Sequence, residues 1–197
     1  IRAVRVKPRR SLLSMRHAHI TARMDGPRDR NVFGAFALMI GEDIVRASSS
    51  RAPEEGPAAS ALALIAHKPG LSVRMLAIGV GLSHAAGVRL ADRLTIQGLI
   101  ESRASSSDGR VRSLYLTSAG QTASAAVLAA RDEVIAEGLS ILNKGEMKFL
   151  ADIAERVLRD RLENLEHSYR ICRLCCYEGC TDCPIDAELH ERGQDRE

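Results

Sequence analysis

Apolar residues recur at helical spacing over residues 31–49, where Val32, Phe33, Phe36, Met39, Ile40, Ile44 and Val45 make one stripe. Such a stripe predicts an amphipathic helix with a face to bury. A polar loop from Ser48 to Pro57 follows, and residues 58–68 read as a short apolar helix closed by Pro69-Gly70. Leu71-Ser72 opens a helix to about Val80, and Gly81-Leu82 makes a tight turn. Ser83 caps the next helix, which runs to Gln97 and stops at Gly98. The period then shortens. Leu99 to Ala104 and Val111 to Leu116 read as strands flanking Ser105 to Arg110, where Asp108-Gly109 is a hairpin signal. Ser118 caps a predicted helix to about Leu142. Asn143-Lys-Gly-Glu146 has capping-box form and opens another. The stripe of that last helix is Met147, Leu150, Ile153, Ala154, Val157, Leu158, Leu162 and Leu165. A cysteine-rich segment, residues 169–184, and a polar tail, residues 185–197, complete the chain.

Helix, short turn, helix and two-stranded hairpin make a winged helix-turn-helix, so the expected fold is mainly α. The DNA-reading part is residues 71–117, and the long flanking helices over 31–49 and 118–168 are the dimerisation elements. An α-helix fits the major groove, and a hairpin tip reaches the adjacent minor groove. On a helical wheel of about 100° per residue, Gly87, Leu90 and Leu94 fall on the core side. His84, Ala85, Val88, Arg89, Asp92 and Arg93 cover the other side. Arginine pairs with guanine or grips phosphate, and Val88 or Ala85 suits a thymine methyl. Arg110 and Arg112 sit in or beside the hairpin tip, where a narrow minor groove attracts guanidinium.

Composition changes the picture in three places. Aromatics make up 3% of the chain and Trp is absent, so Ala, Leu, Ile and Val must carry the core. No uninterrupted apolar run reaches the length of a membrane span. Net charge is only +3, yet residues 1–30 hold nine basic against two acidic side chains, and residues 67–112 hold seven against three. The second excess coincides with the helix-turn-helix and hairpin, as expected where phosphate is met. The first marks residues 1–30 as a basic, disordered arm. Each arginine taken singly would serve equally well on a solvated helix face.

All five cysteines lie in one cluster, as Cys172-Arg-Leu-Cys175, Cys176 and Cys180-Thr-Asp-Cys183. Two Cys-x-x-Cys pairs can close on one ion or cluster. A single cluster with no spread disulfide framework fits metal ligation in a reducing cytoplasm. Cys172, Cys175, Cys180 and Cys183 are the expected ligands, for zinc or for an iron–sulfur cluster, the two being left open. Cys176 is the spare thiol and the redox candidate; switching by disulfide formation is the rival. His67, His84 and His167 show no metal-binding pattern, although His167 lies nearest the cysteines. No Gly-rich phosphate loop, nucleophile elbow or paired catalytic carboxylates are present, so no enzyme is expected.

Four stretches together resemble the MarR family of transcription regulators. They are Leu82-Ser-His-Ala-Ala-Gly-Val-Arg-Leu-Ala-Asp-Arg-Leu94, Gly98-Leu-Ile-Glu-Ser-Arg103, Asp108-Gly-Arg110 and Leu116-Thr-Ser-Ala-Gly120. The resemblance is firm over residues 71–120 and looser over 31–168. It implies a homodimer that reads a palindromic double-stranded operator, with Arg89 on the recognition helix and Arg110 at the wing. Gly87 departs from the family's larger residue and costs about 1 kcal/mol of helix propensity. The segment from Arg170 to Pro184 also resembles the cysteine-rich tails of some MarR-like proteins. The function that follows is a homodimeric DNA-binding regulator, a repressor, whose C-terminal centre senses metal or redox state. The alternatives are a small-organic-effector repressor with structural zinc, and a winged-helix interaction or redox module without DNA binding.

Overall fold

The computed structural model describes residues 26–104, 112–177, 179–180 and 182–194. The chain divides into two units, residues 1–41 and 42–197. The described part of the first, residues 26–41, is the beginning of helix α1 (Pro27–Ser50), on which Val32, Phe33, Leu38 and Met39 are exposed. The second unit begins with the rest of α1 and continues through α2 (Ala58–His67), β1 (Leu71–Ser72), α3 (Val73–Gly79), α4 (His84–Ile96), β2 (Ile100–Ala104), β3 (Arg112–Leu116), α5 (Ser118–Gly138), α6 (Lys144–Arg161), α7 (Leu165–Ile171) and α8 (Pro184–Glu191). No single described helix is long and apolar enough to cross a membrane.

The core is aliphatic, as the scarcity of aromatics requires. Leu62, Leu64 and Ile65 of α2, Leu76 of α3, Leu90 and Leu94 of α4, Ile100 of β2 and Leu114 of β3 pack into one buried cluster. The strands form an antiparallel sheet in the order β1-β3-β2, with Leu71 opposite Leu114 and Ile100 opposite Leu116. Leu71-Ser72 is thus a strand that pairs before the helix begins. Ser72 then serves the helix as well, its hydroxyl accepting the Met75 N–H at 3.2 Å.

Three local expectations shift. The cap of α5 is Thr117, one residue earlier than Ser118. Its hydroxyl accepts the Gly120 N–H at 3.1 Å while donating to the Gly98 carbonyl at 2.7 Å. That helix ends at Gly138, and Leu139 caps it well short of Leu142. The last long helix stops at Arg161, because Asn164 starts a new one: its side chain accepts the His167 N–H at 2.9 Å, and the His167 ring nitrogen Nδ1 accepts the Glu163 N–H at 3.2 Å. Leu162 and Leu165 therefore leave the stripe that starts at Met147. The capping box at Asn143 and Glu146 forms as read.

The segment expected to be a polar tail contains α8. Ile185 and Leu189 are buried there with Leu162 and Cys172 in a second apolar cluster. Pro184 occupies the first turn, where its missing N–H costs nothing. Arg159 of α6 donates to Glu188 and Glu191 of α8, at 2.9 and 2.6 Å, and Arg192 donates to the Leu162 carbonyl at 2.6 Å. The ends of α6 and α8 are thereby tied together. Helix α7 instead joins the main core. Tyr169 is buried against Gly79 of α3, where a Cβ would stand 3.2 Å from the Tyr169 Cβ and 2.6 Å from Leu64. Arg74 of α3 and Glu166 of α7 pair at 2.7 Å.

Candidate nucleic-acid interface and cysteine segment

Helices α3 and α4 meet at 106°, within the range of a helix-turn-helix. Gly81, at φ +73°, supplies the left-handed turn, and Ser83 caps α4 by accepting the Ala86 N–H at 3.3 Å. Gly87 faces α3. A Cβ there would stand 2.6 Å from the Ala77 Cβ and 3.2 Å from its Cα. The helical cost of this glycine is offset by the close approach of the two helices, which is why the larger residue of the resemblance is absent.

Gly87, Leu90, Ala91 and Leu94 are the buried residues of α4. His84, Ala85, Arg89 and Arg93 are exposed, whereas Val88 is half-buried and packs against the main core. Val88 thus divides its surface between the core and the outer side of the helix. The three described arginines of the expected interface differ. Arg93 makes a forked contact with Glu54, Nη2 at 2.7 Å and Nε at 3.1 Å, and Gln97 adds a bond to the same carboxylate at 3.1 Å. Arg93 holds the Glu54 carboxyl below the usual carboxylate range. The pair therefore contributes at neutral pH and is lost as pH falls through that lowered value. Arg112 donates to Ser102 at 2.9 Å and to Asp92 at 3.2 Å, bracing the wing against α4. Arg89 has neither an ion-pair nor a hydrogen-bond partner among the described residues. Arg110 lies outside the described residues.

Sequence reasoning missed Glu54. Its place in a Pro/Gly-rich loop gave no sign that it would meet a helix 39 residues further on.

The cysteines occupy the connection from α7 to α8. Cys172 is buried, and Cys175, Cys176, Cys180 and Cys183 are half-buried; none of the five is in a disulfide. The Cys172 and Cys175 side chains are hydrogen-bonded neighbours, an arrangement that with burial pushes the Cys175 thiol up. Cys180 lies within electrostatic reach of both Cys175 and Cys183. The Cys183 thiol is pushed up chiefly by burial, against backbone N–H groups of α8 that favour its thiolate. The donor set suits a thiophilic ion. The thiols do not converge: no three His, Cys, Asp or Glu side chains among the described residues are arranged to hold one ion.

A cavity of about 810 Å³ opens between α2, the wing strands, α5 and this cysteine segment. Ala125 and Leu128 give it an apolar wall, Gln121 and Ser124 add polar groups, and Cys175 to Tyr177 close one side. Neither periodicity nor motif indicated it, since its walls come from four separate stretches of chain.

Residues 55–111 match the model of the MarR family. The chain carries a MarR-type winged helix. Among solved structures, it is similar to the YusO protein from Bacillus subtilis, at 27% identity over 67% of this chain and 93% of that one, with a TM-score of 0.53. Wild-type MarR in the apo form from E. coli is similar at 20% identity over 64% and 95%, TM-score 0.51. CouR from Rhodococcus jostii RHA1, bound to p-coumaroyl-CoA, is similar at 19% over 64% and 90%, TM-score 0.52. The last two likenesses bear on the fold alone. No curated protein matches the chain. The MarR-type match covers the helix-turn-helix and stops at the wing, so α6, α7, the cysteines and α8 lie outside it.

Proposed function

We propose that this protein is a DNA-binding transcription regulator, a repressor, that acts in the cytoplasm as a homodimer on a palindromic operator. The observation that carries this is the outer face of α4: His84, Ala85 and Arg89 are exposed on a helix held at 106° to its neighbour. A capped helix presented this way fits a major groove, and among the described residues Arg89 has no ion pair or hydrogen bond to surrender. The second copy is argued from uncovered apolar surface. Met147, Phe149, Ile153 and Val157 of α6 are exposed, Phe149 by 67%, as are Val32, Phe33, Leu38 and Met39 of α1. A run of that kind marks an interface, and two-fold protein symmetry matches a two-fold operator. Titration of duplex DNA at low ionic strength tests both.

The cysteines are assigned a metal. Cys172, Cys175, Cys180 and Cys183 would hold zinc or an iron–sulfur cluster, leaving Cys176 as the redox-reactive thiol. In support, α8, which follows the segment, is tied to α6, and α7, which leads into it, packs on α3. Metal analysis with an ultraviolet–visible spectrum of anaerobically purified protein separates the choices. A cluster gives visible absorption together with iron and sulfide; zinc gives neither. Metal-free protein with fully reactive thiols would remove the assignment.

The cavity favours a second reading, in which a small organic effector modulates operator binding. Its volume is in the range of ordinary ligand sites.

A further inference from the structure

One face of α5 forms a wall of the cavity. Gln121, Ser124, Ala125, Leu128, Ala129 and Asp132 recur at helical spacing, so they share one side of the helix, and all six line the cavity. The middle of that wall, Ala125, Leu128 and Ala129, is apolar. Ala63 and Ile65 of α2 add further apolar surface. The Tyr177 ring, edge-on to the His67 ring with centroids 4.5 Å apart, closes another side.

On this wall one polar group lacks a partner. Ser124 is only 3% exposed, and among the described residues nothing hydrogen-bonds to its hydroxyl. A buried hydroxyl left unpaired is disfavoured, and a ligand atom that bonds to it relieves that. The Ser124 side chain has a single torsion with three staggered positions, so its hydroxyl can turn to a molecule seated on the wall it forms.

The charges are disposed differently. The Asp, Glu and Arg side chains of the lining are Glu101, Arg103 and Asp132. Arg103 pairs with Glu101 and also lies over the Tyr115 ring, 4.6 Å from its centroid, and Asp132 pairs with Arg131 at 2.5 Å. An entering anion would meet two carboxylates and one arginine already engaged on two sides, and would shed its hydration for little return. A cation would have to displace an arginine from its carboxylate.

We infer that the cavity takes an uncharged molecule with an apolar body and one carbonyl or hydroxyl group, which bonds to Ser124, and that it discriminates against a carboxylate on the same body. The inference rests on the reading above that the cavity holds a small organic molecule, and it names the chemical class.

The test titrates the full chain with prodan, an uncharged dimethylaminonaphthalene ketone whose emission moves to longer wavelength when its carbonyl accepts a hydrogen bond. The comparison is the carboxylate built on the same dimethylaminonaphthalene ring. Prodan is expected to bind at least about 10-fold more tightly than the carboxylate. Ser124→Ala should weaken prodan about 5-fold, move its bound emission to shorter wavelength and leave the carboxylate unaffected. Without probe this variant should melt no lower than the unaltered protein, since it loses only an unpaired hydroxyl. Ala125→Trp fills the cavity from an exposed position and should abolish prodan binding. A carboxylate bound as tightly as prodan overturns the ligand class and spares the cavity as an organic-ligand site. Prodan affinity and emission unchanged in Ser124→Ala overturn the role of Ser124 and the inference with it. No binding of either probe, or prodan binding indifferent to Ala125→Trp, refutes the cavity reading and the inference together.

Discussion

Arg89→Ala is expected to cost at least about 30-fold in affinity for the operator, because each arginine contact to a base is worth about 1–3 kcal/mol and a dimer loses two of them. The physical case is one of availability. Arg93 is held by Glu54 and Gln97, and Arg112 is held by Asp92 and Ser102. A DNA contact by either would have to compete with a bond already made. Arg89 is exposed on the same helix and has no such competitor among the described residues. Arg89→Lys separates two roles: retained affinity means a phosphate grip, and a loss close to that of alanine means forked recognition of a base. The check is fluorescence anisotropy at fixed salt, with the melting temperature as a control for folding. Unchanged affinity in Arg89→Ala would remove α4 as the reading element.

The second large effect is on stability. A Cβ at Gly120 would lie 1.9 Å from the Leu99 carbonyl oxygen and 3.0 Å from its carbon. That carbonyl already accepts the Thr117 N–H at 3.0 Å and the Thr117 hydroxyl at 3.1 Å. The obstacle is therefore backbone fixed by two hydrogen bonds, and no rotamer change relieves it. Gly120→Ala must separate the first turn of α5 from the start of β2. Overpacking costs about 1–3 kcal/mol where side chains can adjust, and more is expected against backbone. For a domain of this size, a melting temperature lower by on the order of 10 °C follows. Gly34→Ala is the matched control. It lies within α1 with nothing inside 4 Å of the added carbon, so it should be neutral or stabilising by up to about 1 kcal/mol. Equal melting temperatures for Gly120→Ala and the unaltered protein would contradict the packing described.

Helix α4 was legible in the sequence because its determinants are local. Ser83, Gly81 and Gly98 fix its ends within a few residues, and the period of Gly87, Leu90 and Leu94 fixes its buried face. What escaped depended on distant partners. β1 is two residues long and exists only by pairing with β3. Val88 looked outward on a wheel, and it is half-buried because neighbours that a wheel does not contain pack against it. The break between α6 and α7 had a local sign in Asn164, masked by an apolar stripe that runs through it. α8 also left a trace, Ile185 and Leu189 one turn apart after Pro184, and the surrounding charges hid it. Those charges are the clasp itself, Glu188 and Glu191 with Arg159. Spacing identified the cysteines as a group, but their arrangement depends on how α8 folds back on α6.

The central claim is that two copies of this chain present α4 together to one duplex. Sedimentation of the purified protein with a labelled duplex, at low ionic strength and then across a salt series, tests it most directly. The expected result is a dimer free and two chains per bound duplex, with affinity falling steeply and log-linearly as salt displaces the phosphate contacts. A monomer that leaves the duplex sedimenting alone at low salt would contradict it.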